Sequence, residues 1–126
     1  MGFRFFCMTH LVACLGTGKG TWTEVNKLIR QRSWEKVFLV TNNFGKENYK
    51  NESNAELIII DDNQNMEIIR DILVNELKTK NVDVLDMAIN FISGSGKEHM
   101  ALLSALLKIG AGVRLVNPGE SEVKEI

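Results

Sequence analysis

Short apolar runs alternate with segments of helical periodicity along most of the chain. The runs have the length of strands and are largely apolar, at residues 10–15, 36–41, 56–60, 84–92 and 113–116. Nearly continuous apolar runs are typical of strands that are buried on both faces of a parallel sheet. Apolar residues recur at helical spacing between these runs, and the helices that we predict from this spacing cover residues 22–32, 66–77 and 100–109.

Polar residues mark the predicted starts of all three helices. Thr21-x-x-Glu24 and Ser95-x-x-Glu98 have the spacing of a capping box, which opens a helix. Residues 61–63, two aspartates and an asparagine, are predicted to cap the second helix. Each predicted helix therefore follows a strand after a short polar connection.

This alternation predicts one α/β domain over residues 1–126. We expect a Rossmann-like three-layer sandwich, with a five-stranded, mainly parallel sheet in the order 3-2-1-4-5. Residues 42–54 are polar without periodicity and are predicted to form a loop. Residues 1–7 are interpreted as a lead-in or N-terminal extension, and residues 118–126 as a flexible tail.

Two glycine-rich loops follow the first and fourth predicted strands. The first reads Gly-Thr-Gly-Lys-Gly over residues 16–20, and the second reads Ser-Gly-Ser-Gly-Lys over residues 93–97. In the order 3-2-1-4-5, strands 1 and 4 flank the switch point, and ligands bind at the carboxyl ends of such strands. Glycine loops that lead into helix N-termini favour anions. We therefore predict a nucleotide-like, phosphate-bearing ligand between two facing loops.

The predicted ligand-binding residues lie in these loops, at the helix starts that follow them, and directly after the second strand. They are Gly16, Thr17, Gly18, Lys19, Thr21, Asn42, Ser93, Gly94, Ser95, Gly96, Lys97 and His99. The lysines supply positive charge and the hydroxyls supply hydrogen bonds. Carboxylates at Glu24 and Glu98 favour phosphate binding if they fold back on the helix starts, and oppose it if they point into the crevice. The alternative interpretation is a pair of tight turns without a ligand.

Several named motifs are excluded by single positions. A phosphate-binding P-loop needs glycine where Phe91 stands, and serine or threonine where Glu98 stands. A dinucleotide fingerprint begins at Gly16-x-Gly18 but has Thr21 in place of its third glycine, which argues against NAD. His10 and His99 are the two histidines and form no ligand-spaced cluster. We predict neither a metal nor a cofactor.

Composition bounds the location and the partners. The 126 residues are 44% hydrophobic and 25% charged, with a net charge of −1, so we expect neither long nucleic acid nor a membrane surface as partner. No apolar run reaches the roughly 20 residues of a membrane span. The apolar N-terminus is interpreted as strand lead-in rather than signal peptide. Cys7 and Cys14 are interpreted as free thiols, which predicts a cytoplasmic protein.

A resemblance to a known family lies in the second half of the chain. Residues 89–97 read INFISGSGK, residues 100–107 read MALLSALL and residues 110–116 read GAGVRLV. This series resembles the CRISPR-associated Rossmann fold (CARF) family, in which a strand ends in Asn-x-Thr-Gly-Gly-Thr-Lys before an apolar helix. Ser93, Ser95 and Gly96 depart from that pattern. The resemblance implies a homodimer that binds a cyclic oligoadenylate, often the four-membered ring, with the loops after strands 1 and 4.

The resemblance leaves two uses of the ligand open. A metal-independent ring nuclease would let a ribose 2′-OH attack the adjacent phosphate, with Lys97, Ser93 and Thr17 as its catalytic residues and help from Lys19 and Ser95. Alternatively the protein binds the ring without cleaving it, as a sink or a signalling subunit. The chain ends soon after the fifth predicted strand, so we expect no effector domain of its own.

Two other function classes use the same features differently. A phosphosugar- or mononucleotide-binding regulatory domain would use the glycine loops without needing a dimer. A non-catalytic interaction domain would use the third predicted helix, which is apolar on nearly all sides. We expect a second copy of the chain to cover that helix, and we expect Leu106 to lie in the interface.

Overall fold

The computed structural model describes residues 9–82 and 84–126. These residues form one sheet in the order β3-β2-β1-β4-β5-β6. The strands are β1 (His10–Cys14), β2 (Lys36–Thr41), β3 (Glu56–Ile59), β4 (Met87–Asn90), β5 (Val113–Pro118) and β6 (Val123–Glu125). The helices are α1 (Trp22–Arg30), α2 (Asn43–Asn48), α3 (Met66–Thr79) and α4 (Gly96–Lys108), and a 3-10 turn (Lys19–Thr21) precedes α1. The predicted α/β fold and the order of its first five strands are confirmed.

The central strands are buried on both faces, which gives the molecule three layers. Along β1, Val12 and Cys14 join a core shared with α3 and α4, whereas Leu11 and Ala13 join a core shared with α1. Every residue of β1 is buried. This two-sided burial explains why the strands read as continuous apolar runs rather than as alternating ones.

The C-terminal end of the chain is a strand, so the predicted flexible tail over residues 118–126 is wrong. β6 pairs antiparallel with β5, with Pro118 opposite Val123. Val123 is buried in the core under α1, and the turn closes where the backbone N–H of Gly119 donates to the carbonyl of Glu122 at 3.0 Å. Over the described residues the sheet therefore has six strands rather than the predicted five. One buried valine between charged residues is too weak a pattern to predict a strand.

Residues 42–54 contain the short helix α2, so the predicted loop is also corrected. The Asn42 side chain caps α2 by accepting a hydrogen bond from the backbone N–H of Gly45 at 3.0 Å. Gly45 is buried against β2, where an added Cβ would lie 1.8 Å from the Thr41 hydroxyl oxygen. Tyr49 is buried after the helix and anchors the segment. A six-residue helix is too short to show amphipathic periodicity.

The predicted helix starts are only partly right. The Ser95–Glu98 capping box is present, and the backbone N–H of Ser95 donates to the Glu98 carboxylate at 3.4 Å. Helix α3 is capped by Asn65, whose side chain accepts from the Ile68 N–H, rather than by residues 61–63. Thr21 does not cap α1, because its hydroxyl turns towards the second glycine loop instead.

Candidate functional site

The two glycine loops meet at the carboxyl edge of the sheet. Strands β1 and β4 are parallel neighbours, so their following loops emerge side by side. The backbones of Gly16 and Gly94 pass so closely that a Cβ on Gly16 would lie 2.8 Å from the Gly94 nitrogen. The prediction that the loops face each other at the switch point is confirmed.

Ser93 joins the two loops from below. It is 1% exposed, its hydroxyl oxygen accepts from the backbone N–H of Gly16 at 2.9 Å, and it shares a 2.7 Å hydrogen bond with the Thr21 hydroxyl. Gly94 then takes a φ of +101°, which favours glycine. We call Gly16, Thr21, Ser93 and Gly94 the glycine junction.

A cavity of about 280 Å³ opens at this junction. The predicted ligand-binding residues in its lining are Gly16, Thr17, Gly18, Thr21, Asn42, Gly94 and Ser95, and the other lining residues are Asp62, Ile92 and Glu98. The predicted residues Lys19, Ser93, Gly96, Lys97 and His99 stand outside the lining. The wall therefore consists of glycine backbone, hydroxyls, one amide, two carboxylates and the apolar side chain of Ile92.

Some glycines around the cavity have no steric role in the fold. A Cβ on Gly18 or on Gly96 would meet none of the described residues within 4 Å, and neither glycine has a positive φ. Gly18 lies on the cavity wall with a φ of −81°. The absence of a side chain there leaves the backbone open to close approach by a ligand.

The two lysines flank the cavity rather than line it. The Lys97 ammonium donates to the backbone carbonyl of Asp62 at 2.8 Å and so ties α4 to the loop after β3. The Lys19 Nζ lies 5.7 Å from the centroid of the Phe44 ring. Glu98, in contrast, both folds back on Ser95 and reaches the cavity wall. These two positions of Glu98 are alternatives in the sequence, and the structure combines them.

Asn42 is fixed by hydrogen bonds at both ends of its amide. Its oxygen accepts from the Gly45 N–H, and its nitrogen donates to the Asp62 carboxylate at 3.0 Å. This pair holds Asp62 on the cavity wall. The sequence predicts a helix cap at residues 61–63, and nothing in the local pattern around Asp62 distinguishes that role from a place in the site.

His99 supports the second loop from behind. Its Nε2 lies 2.7 Å from the Ser93 carbonyl oxygen, and its ring stacks on Phe91 with centroids 4.7 Å apart. A carbonyl only accepts hydrogen bonds, so Nε2 carries the proton in this contact. This contact positions the backbone between Ser93 and Gly94.

Cys14 is buried at the end of β1, directly beneath the junction. An added Cβ on Gly94 would lie 3.2 Å from the Cys14 Cβ. Burial, and secondarily the negative charge of Glu98, raises the pKa of the Cys14 thiol to about 12. The thiol therefore stays protonated and unreactive at neutral pH. Cys7 lies outside the described residues.

Comparison with protein-family models finds no match, and comparison with curated proteins finds no significantly similar chain. Membership of the CARF family stays a prediction. Within residues 9–82 and 84–126, no helix has both the length and the apolar character to cross a membrane. The cytoplasmic location stays a prediction as well. In the same residues, no three histidine, cysteine or acidic side chains gather as a metal site would require.

Proposed function

We propose that this protein binds a nucleotide-type ligand in the cavity at the glycine junction, and that the ligand is a cyclic oligoadenylate. One observation carries the proposal: where the two glycine loops converge, Gly18 presents bare backbone to the cavity although no described residue would obstruct a side chain there. The family resemblance supports the identity of the ligand, and this geometry supports the proposed place of its binding.

The ligand's phosphate and its hydroxyls would use different groups around the cavity. The first-turn amides of α4 at Gly96 and Lys97 directly follow Ser95, which lines the cavity; they have no intrahelical partner and favour an anion, as does the dipole of the helix. The Asp62 and Glu98 carboxylates accept hydrogen bonds and would repel a bare phosphate. This division favours a ligand with phosphate at one end and hydroxyl or amino donors at the other.

Ring cleavage would add one chemical step to binding. The ribose 2′-oxygen would bond to the adjacent phosphorus, the bond to the 5′-oxygen would break, and the 2′-hydroxyl proton would pass through solvent to that oxygen. Thr17 lies on the cavity wall and would orient the hydroxyl. Ser93 and Lys97 do not line the cavity in this structure. Their catalytic roles therefore require either that the Lys97 side chain moves towards the ligand, or that the two residues act only by positioning the groups that contact it.

The decisive test combines binding with product analysis. We would titrate cyclic tetra- and hexa-adenylate into the purified protein without metal, follow heat by calorimetry, and follow products by chromatography. Gly18→Ala is expected to weaken binding about tenfold or more, roughly 1.4 kcal/mol, because its methyl group enters the cavity wall. Gly20→Ala is the matched control, since Gly20 is equally open but lies outside the cavity lining.

Each outcome has a definite meaning. Binding that Gly18→Ala weakens and Gly20→Ala leaves intact supports the proposal, and conversion to linear products makes the protein a ring nuclease. If neither ring binds, the proposed ring ligand is wrong, and if both variants bind like the wild type, the proposed site is wrong.

A mononucleotide- or phosphosugar-binding domain is the second candidate, and the size of the cavity favours it. About 280 Å³ lies near the lower end of small-ligand pockets and suits one nucleotide unit rather than a whole ring. A ring would therefore need a second cleft contributed by another copy of the chain. Tight binding of AMP to a monomer would favour this candidate over the ring ligand.

We propose that the second copy packs on the outer face of α4. Met100 and Leu107 are 63% and 66% exposed there, and Leu103 lies between them. Leu106 is fully buried in the core, so its predicted place in the interface is wrong. When a helix is apolar on nearly all sides, the sequence alone does not show which of its residues face the sheet and which face outwards.

Substitution on that face tests the dimer. Leu107→Lys is expected to convert a dimer to a monomer in light scattering, because it places a charge in an apolar contact. Ile68→Lys, on the exposed side of α3, is the control and is expected to leave the mass unchanged. A wild-type protein that is monomeric at high concentration would contradict the dimer.

A further inference from the structure

A second cavity lies beside the first and shares a wall with it. Its volume is about 340 Å³, and it is lined by Asn42, Asn43, Phe44, Ile60, Asp61, Asp62 and Asn63. Asn42 and Asp62 line both cavities. We propose that this second cavity is the base subsite of the nucleotide whose phosphate lies at the glycine junction, and that it selects a base with an exocyclic amino group. The inference rests on the proposed nucleotide ligand and adds the specificity of its base.

Phe44 supplies the stacking surface of this subsite. The side chain is 39% exposed on the wall of the second cavity, although it packs against Trp22 with ring centroids 6.1 Å apart. The Lys19 Nζ lies 5.7 Å from the centroid of this ring, and the part of the ring that is exposed on the cavity wall offers a stacking surface to a nucleobase.

The fold holds Phe44 in place through α2. The Asn42 cap fixes the start of that helix, and Gly45 lets it lie directly on Thr41 of β2. Any side chain at position 45 would push α2, and Phe44 with it, away from the sheet. Helix α2, where the sequence predicts only a loop, therefore supplies the aromatic wall of the second cavity.

The remaining polar wall is rich in hydrogen-bond acceptors. One oxygen of Asp61 accepts from the Asn63 N–H at 3.0 Å, and one oxygen of Asp62 accepts from the Asn42 amide at 3.0 Å. A carboxylate has two oxygens and about four lone-pair sites, so both side chains retain capacity to accept. No lysine or arginine belongs to the lining of this cavity as the structure describes it.

This wall predicts a preference among bases. Adenine presents an amino donor where hypoxanthine presents a carbonyl, and a carbonyl facing a carboxylate leaves both acceptors without a donor. The amino group of adenine satisfies the wall and the carbonyl of hypoxanthine does not. The cavity is therefore expected to favour adenine ligands over their inosine counterparts.

Lys97 is a positioning residue for the same subsite. Its ammonium donates to the Asp62 carbonyl and thereby fixes the loop after β3 relative to α4. The wall shared by the two cavities is thus tied to the helix whose N-terminus would hold the phosphate. This contact gives Lys97 a role in the site without placing it in either lining.

Base substitution in the ligand tests the inference directly. We would compare AMP with IMP, and cyclic tetra-adenylate with the ring in which hypoxanthine replaces adenine, by calorimetry on the intact protein. We expect the adenine ligands to bind about tenfold or more tightly, corresponding to roughly 1.4 kcal/mol. A preference seen with the rings and absent with AMP and IMP would still support the subsite and would assign the ring as its ligand.

Two variants locate the preference in the second cavity. Phe44→Leu is expected to weaken the adenine ligands about fivefold or more through lost stacking, and Phe44→Tyr is expected to restore binding. Asp61→Asn is expected to reduce the difference in affinity between adenine and inosine ligands, because the asparagine amide can donate a hydrogen bond to the hypoxanthine carbonyl. Asp71→Asn, on the exposed side of α3, is the control for the lost charge. Thermal melts confirm that each variant is folded.

The outcomes separate this inference from the proposed function. If Phe44→Leu and Asp61→Asn bind like the wild type and inosine ligands bind equally well, while Gly18→Ala still weakens binding, the base subsite is wrong and the junction site stands. If the wild type binds no adenine ligand, both proposals fall together.

Discussion

Gly94 and Gly18 lie in similar loops but face opposite demands from the fold. Gly94 has a φ of +101°, and a Cβ there would lie 3.0 Å from the His99 Nε2. Gly18 has a φ of −81°, and a Cβ there would meet nothing within 4 Å. The first glycine is required by the packing of the junction, whereas the second is required by nothing that the described part of the chain contains.

The hydroxyl residues of the loops divide in the same way. Ser93 is buried and bonded to the junction, whereas Thr17 is exposed on the cavity wall. The glycines and hydroxyl residues of these loops therefore have two separate roles. Some pack one loop against the other, and the rest form a surface that a ligand can contact. Substitutions that separate stability from binding distinguish the two.

The largest expected effect is a loss of stability in Gly94→Ala. Crowding of the added methyl is expected to cost about 1–3 kcal/mol, and the positive φ roughly another 1–2 kcal/mol. Denaturant unfolding followed by circular dichroism measures this loss. Gly18→Ala, as the paired variant, is expected to change the unfolding free energy by less than about 0.5 kcal/mol. Equal unfolding midpoints for the two variants would contradict the difference in structural role between Gly94 and Gly18.

Ser93→Ala is expected to have the next largest effect. The Gly16 N–H and the Thr21 hydroxyl would lose a shared, buried partner, at a cost of about 1–3 kcal/mol. Thr17→Ala serves as the paired change, and we expect it to weaken ligand binding while leaving unfolding nearly unaltered. A Ser93→Ala protein as stable as Thr17→Ala would show that the junction does not depend on this hydroxyl.

The smallest effect is a pH dependence that originates beneath the junction. The Cys14 pKa rises from 9.0 to about 12 on folding, so its contribution to stability is complete below about pH 9 and is lost as the pH rises towards 12. At pH 9 the loss is about 0.4 kcal/mol by linkage. The stability difference between wild type and Cys14→Ala is expected to shrink by this amount between pH 7 and 9. A constant difference would mean that the thiol titrates normally in the folded protein.

The strand order and the meeting of the glycine loops could be predicted because both follow from the order of apolar runs along the chain. Parallel strands at a switch point bring their carboxyl ends together whatever the side chains are. The positions of the charged side chains around the site could not be predicted in this way. Lys97 and Lys19 stand beside the correct loops, yet one reaches a carbonyl of another loop and the other lies over an aromatic ring.

The wrong predictions all concern features that depend on contacts between residues distant in the sequence. Helix α2 is stabilised by the packing of Gly45 on Thr41 and by the burial of Tyr49, and neither gives a periodic signal. Strand β6 exists because β5 offers it an edge to pair with. Leu106 is predicted to lie in an interface but is buried in the core, because the sheet beneath α4 determines which side of the helix faces inwards.

The contact between Gly16 and Gly94 also constrains how this sequence can change over evolutionary time. Each residue belongs to a loop that leads into a helix, and α1 and α4 lie on opposite faces of the sheet. A larger residue at position 16 would displace the backbone at position 94, so no compensating change at one side chain can absorb it. Among homologues of this chain, we expect the two positions to remain small together or to be replaced together.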